Sequence, residues 1–169
     1  EDGYMDLAAD QALARALMER VLEVKLAWWD EALAELGDDV DVVGEADDLG
    51  GQATPLFDPR TYRAIVKPLH AELFAFIRAR TRARVLFHSC GAIRDLLPDL
   101  VEIGVGVLNP VQVSATGMAT ADLKRDFGRD LVFWGGGVDT QRVLGGGTPA
   151  EVRAEVARRV ADLAPGGGF

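Results

Sequence analysis

The sequence is poor in cysteine and histidine, two residue types that are common in reactive sites. Its 169 residues include one cysteine and two histidines. A single cysteine excludes an internal disulfide, which agrees with a reducing compartment, and we expect a cytoplasmic protein. No apolar run approaches the roughly 20 residues of a membrane-spanning helix, and the acidic start lacks the basic head of a signal peptide. We therefore expect no membrane partner.

Basic residues are also scarce. The chain has 18 Lys and Arg against 27 Asp and Glu, a formal charge of −9, and no basic stripe. Phosphate binding needs such a stripe, so nucleic acid is excluded as the main partner. Hydrophobic residues make up 49% of the chain, enough for one sizeable core, and we treat residues 1–169 as one domain.

Four short apolar runs alternate with helical patterns. The runs begin at Val40, Val85, Val105 and Leu131, and each is followed by polar or glycine residues. This alternation predicts a parallel sheet, either doubly wound or part of a (β/α)8 barrel. A full barrel needs about 250 residues, and polar residues at every strand exit favour the barrel. We expect its carboxyl-terminal part, about four βα units, without the amino-terminal strands and the final strand.

The helical segments show recognisable boundaries. Asp58-Pro59 and the capping box Thr148-Pro149-Ala150-Glu151 each predict a helix start, and Thr120 predicts a third cap. Pro68 lies inside a helical pattern and should kink or divide it. A further helix is expected over residues 10–36, where five apolar positions recur at helical spacing between charged residues: Leu13, Leu17, Val21, Val24 and Trp28. Trp28 and Trp29 are expected to pack this helix against the barrel or a partner.

The segment Val85–Gly91 concentrates the scarce residues at the end of a predicted strand. Ligands bind beyond the carboxyl ends of parallel strands. His88 and Cys90, two residues apart, project to the same face and could share one metal ion. Two ligands alone do not make a zinc site, since catalytic sites use three protein donors. A buried structural cysteine beside a hydrogen-bonded histidine is the alternative, and both interpretations stay open.

Other polar residues follow the neighbouring strands. Asp47 and Asp48 could bind substrate or handle protons, or could cap a turn. Asn109 and Gln112 suit the orientation of a ligand, and Asp139 and Gln141 could line the same pocket or cap the following segment. Gly135-Gly136-Gly137 predicts a tight turn, because no Lys-Ser/Thr follows it as in a phosphate-binding loop. His70, in the middle of a helix, is expected at the surface.

Several of these segments resemble, in order, motifs of the uroporphyrinogen decarboxylase superfamily. They are Glu45–Gly50 (EADDLG), Phe87–Gly91 (FHSCG), Leu108–Gln112 (LNPVQ), Phe133–Gln141 (FWGGGVDTQ) and Gly145–Val152 (GGGTPAEV). The resemblance covers essentially the whole chain, as the carboxyl-terminal part of that family's barrel.

The resemblance implies one of two chemistries. One branch of the family decarboxylates uroporphyrinogen in porphyrin and haem biosynthesis without metal or cofactor. The other transfers methyl groups between corrinoid proteins or methylated substrates and a thiol, and uses zinc bound by His-x-Cys and a later Cys. The His88-Ser89-Cys90 motif resembles the methyltransferase branch, although the later Cys would lie on a strand after Phe169.

The acidic pair Asp47-Asp48 also helps to decide between methyl transfer and decarboxylation. Decarboxylases of the family tend to carry a hydroxyl and an imidazole at the Asp47-Asp48 position, and a polycarboxylate substrate is better matched by cations. We therefore favour a zinc-dependent methyltransferase with His88 and Cys90 as ligands and a small-molecule substrate or corrinoid protein as partner. Decarboxylation is the first alternative, and a half barrel that only binds ligand is the second. Association into a homo-oligomer stays open.

Overall fold

The computed structural model describes residues 2–37 and 39–169. Four strands form one parallel sheet in the order β1-β2-β3-β4: β1 (Val42–Ala46), β2 (Arg84–His88), β3 (Val107–Asn109) and β4 (Val132–Phe133). The order follows the chain without the reversal that defines a doubly wound sheet. This α/β fold is consistent with part of a (β/α)8 barrel, and the predicted alternation is confirmed.

Helices precede, connect and follow the strands. They are α1 (Asp2–Ala9), α2 (Gln11–Leu36), α3 (Pro59–Thr61), α4 (Lys67–Arg78), α5 (Leu97–Glu102), α6 (Thr120–Phe127), α7 (Val143–Gly146) and α8 (Pro149–Leu163). A π-helical turn, Tyr62–Val66, joins α3 to α4, and a 3₁₀ turn, Arg94–Leu96, precedes α5. The described part of the chain contains no helix long and apolar enough to cross a membrane.

The register of the sheet brings the strand ends to one level. His88 on the central strand β2 is the partner of Ala46 on β1 and of Asn109 on β3. Phe87 alternates with His88 and is fully buried under α4, where its ring lies 5.8 Å from that of Phe74. The period of two therefore directs Phe87 to the helical layer and His88 to the opposite face.

The predicted helix boundaries are largely confirmed. The Asp58 carboxylate accepts the Arg60 N–H at 2.7 Å, and Thr148 and Glu151 form the expected reciprocal capping box. Thr120 is not the cap that we predicted. Its hydroxyl is fully buried and donates to Asp162, because this side chain faces α8 rather than the amino terminus of its own helix.

Pro68 divides its helix, as predicted. Proline has no N–H and its ring crowds the preceding turn. The chain accommodates it in the second position of α4, directly after the π-helical turn, in which the Lys67 N–H bonds to the Tyr62 carbonyl. The division matters for the site, because the turn places Tyr62 beside the face of α4 that points at the sheet.

Helix α2 is present, but the apolar stripe that predicted it faces outward. Its five members are 48–59% exposed: Leu13, Leu17, Val21, Val24 and Trp28. The buried side of α2 is a second stripe, Ala14, Leu22, Trp29 and Leu33. The helix is apolar on two sides, so periodicity alone does not tell which side contacts α4. Of the two tryptophans, Trp29 is buried and Trp28 is exposed.

Candidate functional site

Two loops meet at the carboxyl end of the sheet: residues 47–51 after β1 and residues 88–92 around the end of β2. Their backbones touch, since the Ala92 N–H bonds to the Gly51 carbonyl at 2.7 Å. Gly91 has φ +88°, and a Cβ there would lie 2.2 Å from the Gly50 carbonyl oxygen. The glycines of both sequence motifs are thus required by this close approach.

The loops bring together three side chains of types that can ligate a metal ion. Nε2 of His88 lies 3.7 Å from Sγ of Cys90, and both lie within 4.8 Å of a carboxylate oxygen of Asp48. Ligands on a tetrahedral zinc ion are about 3 to 4 Å apart, given metal–ligand bonds of about 2.0 to 2.3 Å. The three donors therefore fit one divalent cation after small side-chain adjustments. Asp48 is the donor that sequence spacing alone did not single out as a ligand.

Hydrogen bonds select the tautomer of His88. The Asn109 side-chain amide donates to the Trp134 carbonyl at 2.9 Å, so its Oδ1 faces the imidazole. Nδ1 of His88 lies 2.6 Å from that oxygen and donates to it. The neutral ring then keeps its lone pair on Nε2, the nitrogen that faces Cys90. Such an outer hydrogen bond is typical of metal-ligating histidines.

Cys90 lies in an environment that favours the neutral thiol in the absence of metal. Partial burial raises the pKa of Cys90, and the charge and hydrogen bonding of Asp48 raise it further. Asp48 also accepts the backbone N–H of Cys90 at 2.9 Å. A bound cation would reverse this effect, since a coordinating thiol is deprotonated outright.

Gln112 belongs to the wall of the site. Its Oε1 accepts the Gly91 N–H at 2.8 Å, and its amide donates to Gln52 at 3.0 Å. Asp139 caps its own turn instead, since its carboxylate accepts the backbone N–H groups of Gln141 and Arg142. The Gln141 side chain is exposed. Substrate roles for these residues and for Asn109 stay predictions.

His70 is buried, and the expectation that it lies at the surface is wrong. Its exposed fraction is 6%, and its Nε2 lies 3.0 Å from Asp47. Nδ1 lies 3.3 Å from the Tyr62 hydroxyl. The signal was present in the sequence, because His70 follows the buried positions Tyr62 and Val66 by eight and four residues, at helical spacing.

An apolar groove adjoins this part of the site. It lies between α2 and the α4 side of the fold and has a volume of about 490 Å³. Asp47 and His70 are among its polar lining residues, and outward residues of α2 such as Leu17 and Val21 line its wall. The outward stripe of α2 therefore continues toward the acidic loop after β1.

Comparison with known proteins identifies the family. The chain matches the family model described as uroporphyrinogen decarboxylase (URO-D) over residues 1–169. The protein belongs to the URO-D family. No curated protein and no solved structure matches it.

Proposed function

We propose that this URO-D family protein is a zinc-dependent methyltransferase that moves a methyl group from a corrinoid or another methylated substrate to a thiol. The single observation that carries the proposal is the cluster of Asp48, His88 and Cys90, whose ligand atoms lie within 4.8 Å of one another. The parallel sheet is proposed to be the carboxyl-terminal part of a (β/α)8 barrel, with this cluster at its catalytic face.

The residues fit the metal in chemistry as well as in position. Carboxylate, imidazole and thiolate are all zinc ligands, and three protein donors leave a fourth position open for a substrate. Asn109 orients one of these three ligands, because its hydrogen bond to Nδ1 of His88 leaves the lone pair on Nε2. Zinc bound here would supply a nucleophilic thiolate at neutral pH by lowering the pKa of a bound thiol.

The protein's own side chains would then hold and orient the substrates. Gln112 braces the loop that carries Cys90, through the Gly91 N–H. Asp47 precedes the ligand Asp48 in the chain, and its carboxylate, which is 53% exposed, pairs with His70 and lines the groove beside α2 and α4. Two successive carboxylates after β1 are a poor match for the carboxylate-rich uroporphyrinogen, which supports methyl transfer over decarboxylation.

The experiment compares the two reactions directly. Methylcobalamin and a small thiol are incubated with the zinc-loaded protein, and uroporphyrinogen is offered in a parallel assay. Methyl transfer forms a C–S bond, breaks the Co–C bond with both electrons left on cobalt, and releases the thiol proton, so thioether and cob(I)alamin should appear together. We expect this reaction in the wild type and its loss in Cys90→Ala.

Coproporphyrinogen and carbon dioxide formed without metal would instead assign the decarboxylase activity. A protein that binds metal and turns over neither substrate would be the binding module.

A further inference from the structure

The buried imidazole of His70 has no part in the metal cluster, yet it touches the loop that carries one of the ligands. It lies on α4 between the rings of Phe74 and Phe87, whose centroids are 5.6 and 5.2 Å away. Its two nitrogens face Tyr62 on one side and Asp47 on the other. A buried polar group in such an aromatic environment is stable only when both of its nitrogens are hydrogen-bonded.

The direction of these hydrogen bonds follows from the partners. Burial raises the pKa of Tyr62, and the nearby charges of Asp99 and Asp47 raise it further, so its hydroxyl keeps its proton. The Asp47 carboxylate can only accept, so Nε2 of His70 carries the ring proton, and Nδ1 of the neutral ring accepts from the Tyr62 hydroxyl. Nε2 donates to the Asp47 carboxylate at 3.0 Å. The three residues form one chain in which each member donates to the next.

Asp47 begins the loop on which Asp48 lies. The backbone N–H of Asp47 bonds to the His88 carbonyl, and further hydrogen bonds connect the same loop to the second one. Leu49 donates to the buried Ser89 hydroxyl at 2.9 Å, and Asp48 accepts from Cys90. The side chain of Asp47 is thus held by His70 while its neighbour faces the cluster.

We propose that His70, held by Tyr62, is a positioning residue that fixes the loop of residues 47–51 so that Asp48 stays beside His88 and Cys90. The metal part of this inference rests on the proposed function. The loop part does not, because the hydrogen bonds that it concerns exist without metal. The two parts can therefore be tested separately.

The test uses four variants of the full chain. His70→Phe removes both hydrogen bonds, His70→Gln keeps an amide donor for Asp47, and Tyr62→Phe removes only the first hydrogen bond. Phe74→Leu is the matched control, since it loosens the packing around His70 and leaves the hydrogen-bonding groups in place. Amide hydrogen exchange at Leu49 and Cys90 is measured by NMR in the metal-free proteins. The Gly106 amide, which precedes β3 and bonds to the Val85 carbonyl of β2, is the internal reference.

We expect exchange at Leu49 and Cys90 to accelerate by about tenfold or more in His70→Phe, with Gly106 unchanged. Without the hydrogen bond to Asp47, the loop of residues 47–51 should open locally more often. His70→Gln should restore most of the protection. The affinity for Co²⁺, followed by its visible absorption, should fall by about 10- to 100-fold in His70→Phe, the usual effect of losing an outer hydrogen bond at a metal site.

Unchanged exchange at both amides in a folded His70→Phe protein would overturn the inference, as would equal acceleration in Phe74→Leu. If His70→Phe does not fold, the imidazole ¹⁵N spectrum of the wild type decides. His70 must show the proton on Nε2, and the opposite tautomer would contradict the chain of hydrogen bonds. A wild type that binds no Co²⁺ would refute the proposed function, while the exchange data would still decide the role of His70.

Discussion

Asn109 Oδ1 lies 2.6 Å from Nδ1 of His88, and the Trp134 carbonyl holds the Asn109 amide in that orientation. The two histidines of the chain consequently carry their protons on different nitrogens. His88 donates through Nδ1 and presents a lone pair beside Cys90, whereas His70 donates through Nε2 to Asp47. The His88 imidazole thus has the lone-pair orientation that the proposed metal centre requires, and the His70 imidazole holds a carboxylate.

Asn109→Ala should weaken metal binding by about 10- to 100-fold, because His88 loses the acceptor that fixes its tautomer and ring orientation. Competition with a chromogenic chelator measures the zinc affinity. Gln141→Ala is a suitable control, since that side chain is exposed and the Gln141 bond to Asp139 uses its backbone N–H. Equal affinities for Asn109→Ala and the wild type would show that the amide has no role in binding.

In metal-free protein, Asp48→Asn should accelerate alkylation of Cys90 at pH 8. Burial and Asp48 together raise the pKa of the thiol, so removing the negative charge lowers that pKa and increases the fraction of nucleophilic thiolate. Iodoacetamide labelling followed by mass spectrometry is unambiguous, because the chain has one cysteine. Glu72→Gln, which removes an exposed carboxylate from α4, is the control and should react at the wild-type rate. An unchanged or slower rate in Asp48→Asn would contradict the geometry.

Trp29→Phe should lower the free energy of unfolding by about 1 to 3 kcal/mol, the cost of removing a hydrogen bond from a buried group. Nε1 of Trp29 donates to the buried Glu45 carboxylate at 2.5 Å, and Lys25 is the other partner of that carboxylate. Trp28→Phe is a matched control, since Trp28 is 59% exposed, and it should change stability by less than about 0.5 kcal/mol. Urea denaturation measures both, and equal effects would contradict the assignment of the buried face of α2.

The Asp58 carboxyl should titrate near pH 2. The side-chain hydrogen bond from Arg60 is the main cause that lowers the pKa of Asp58 to about 2, followed by the Arg60 backbone N–H. Because the folded pKa is depressed, this cap stabilises the fold at neutral pH, and its contribution declines as the pH falls from the ordinary value of 3.8 toward 2. Carboxyl ¹³C NMR follows the titration, and Arg60→Ala should move the midpoint upward. A midpoint near 4 in the wild type would contradict the cap.

The sequence was a good guide wherever local chemistry decides the structure. Alternating short apolar runs and capped helices predicted the parallel sheet, because βα units have few alternatives. Residue types also sufficed to place His88 and Cys90 at one strand end, since the carboxyl ends of parallel strands converge. The same argument placed Asp48 and Asn109 at the carboxyl end of the sheet. It did not predict their hydrogen bonds to Cys90 and His88.

The sequence was a poor guide where the packing of one element against another decides. Helix α2 is apolar on two sides, so nothing in its periodicity showed that Trp29 turns inward and Trp28 outward. Thr120 has the residue type of a cap, but its hydroxyl is used by Asp162 on another helix. The roles of His70 and Asn109 depend on hydrogen bonds to residues 23 and 21 positions away in the chain, which no local pattern specifies.

The most direct test of the metal centre is the zinc content per chain, measured by elemental analysis after purification and dialysis. The protein is compared with Cys90→Ala and with Asp48→Ala, and circular dichroism verifies that each is folded. The proposed centre predicts close to one zinc per chain in the wild type and its loss in both variants. A folded wild type without zinc, or equal zinc in Cys90→Ala, would contradict it and leave Cys90 as a structural residue beside a hydrogen-bonded histidine.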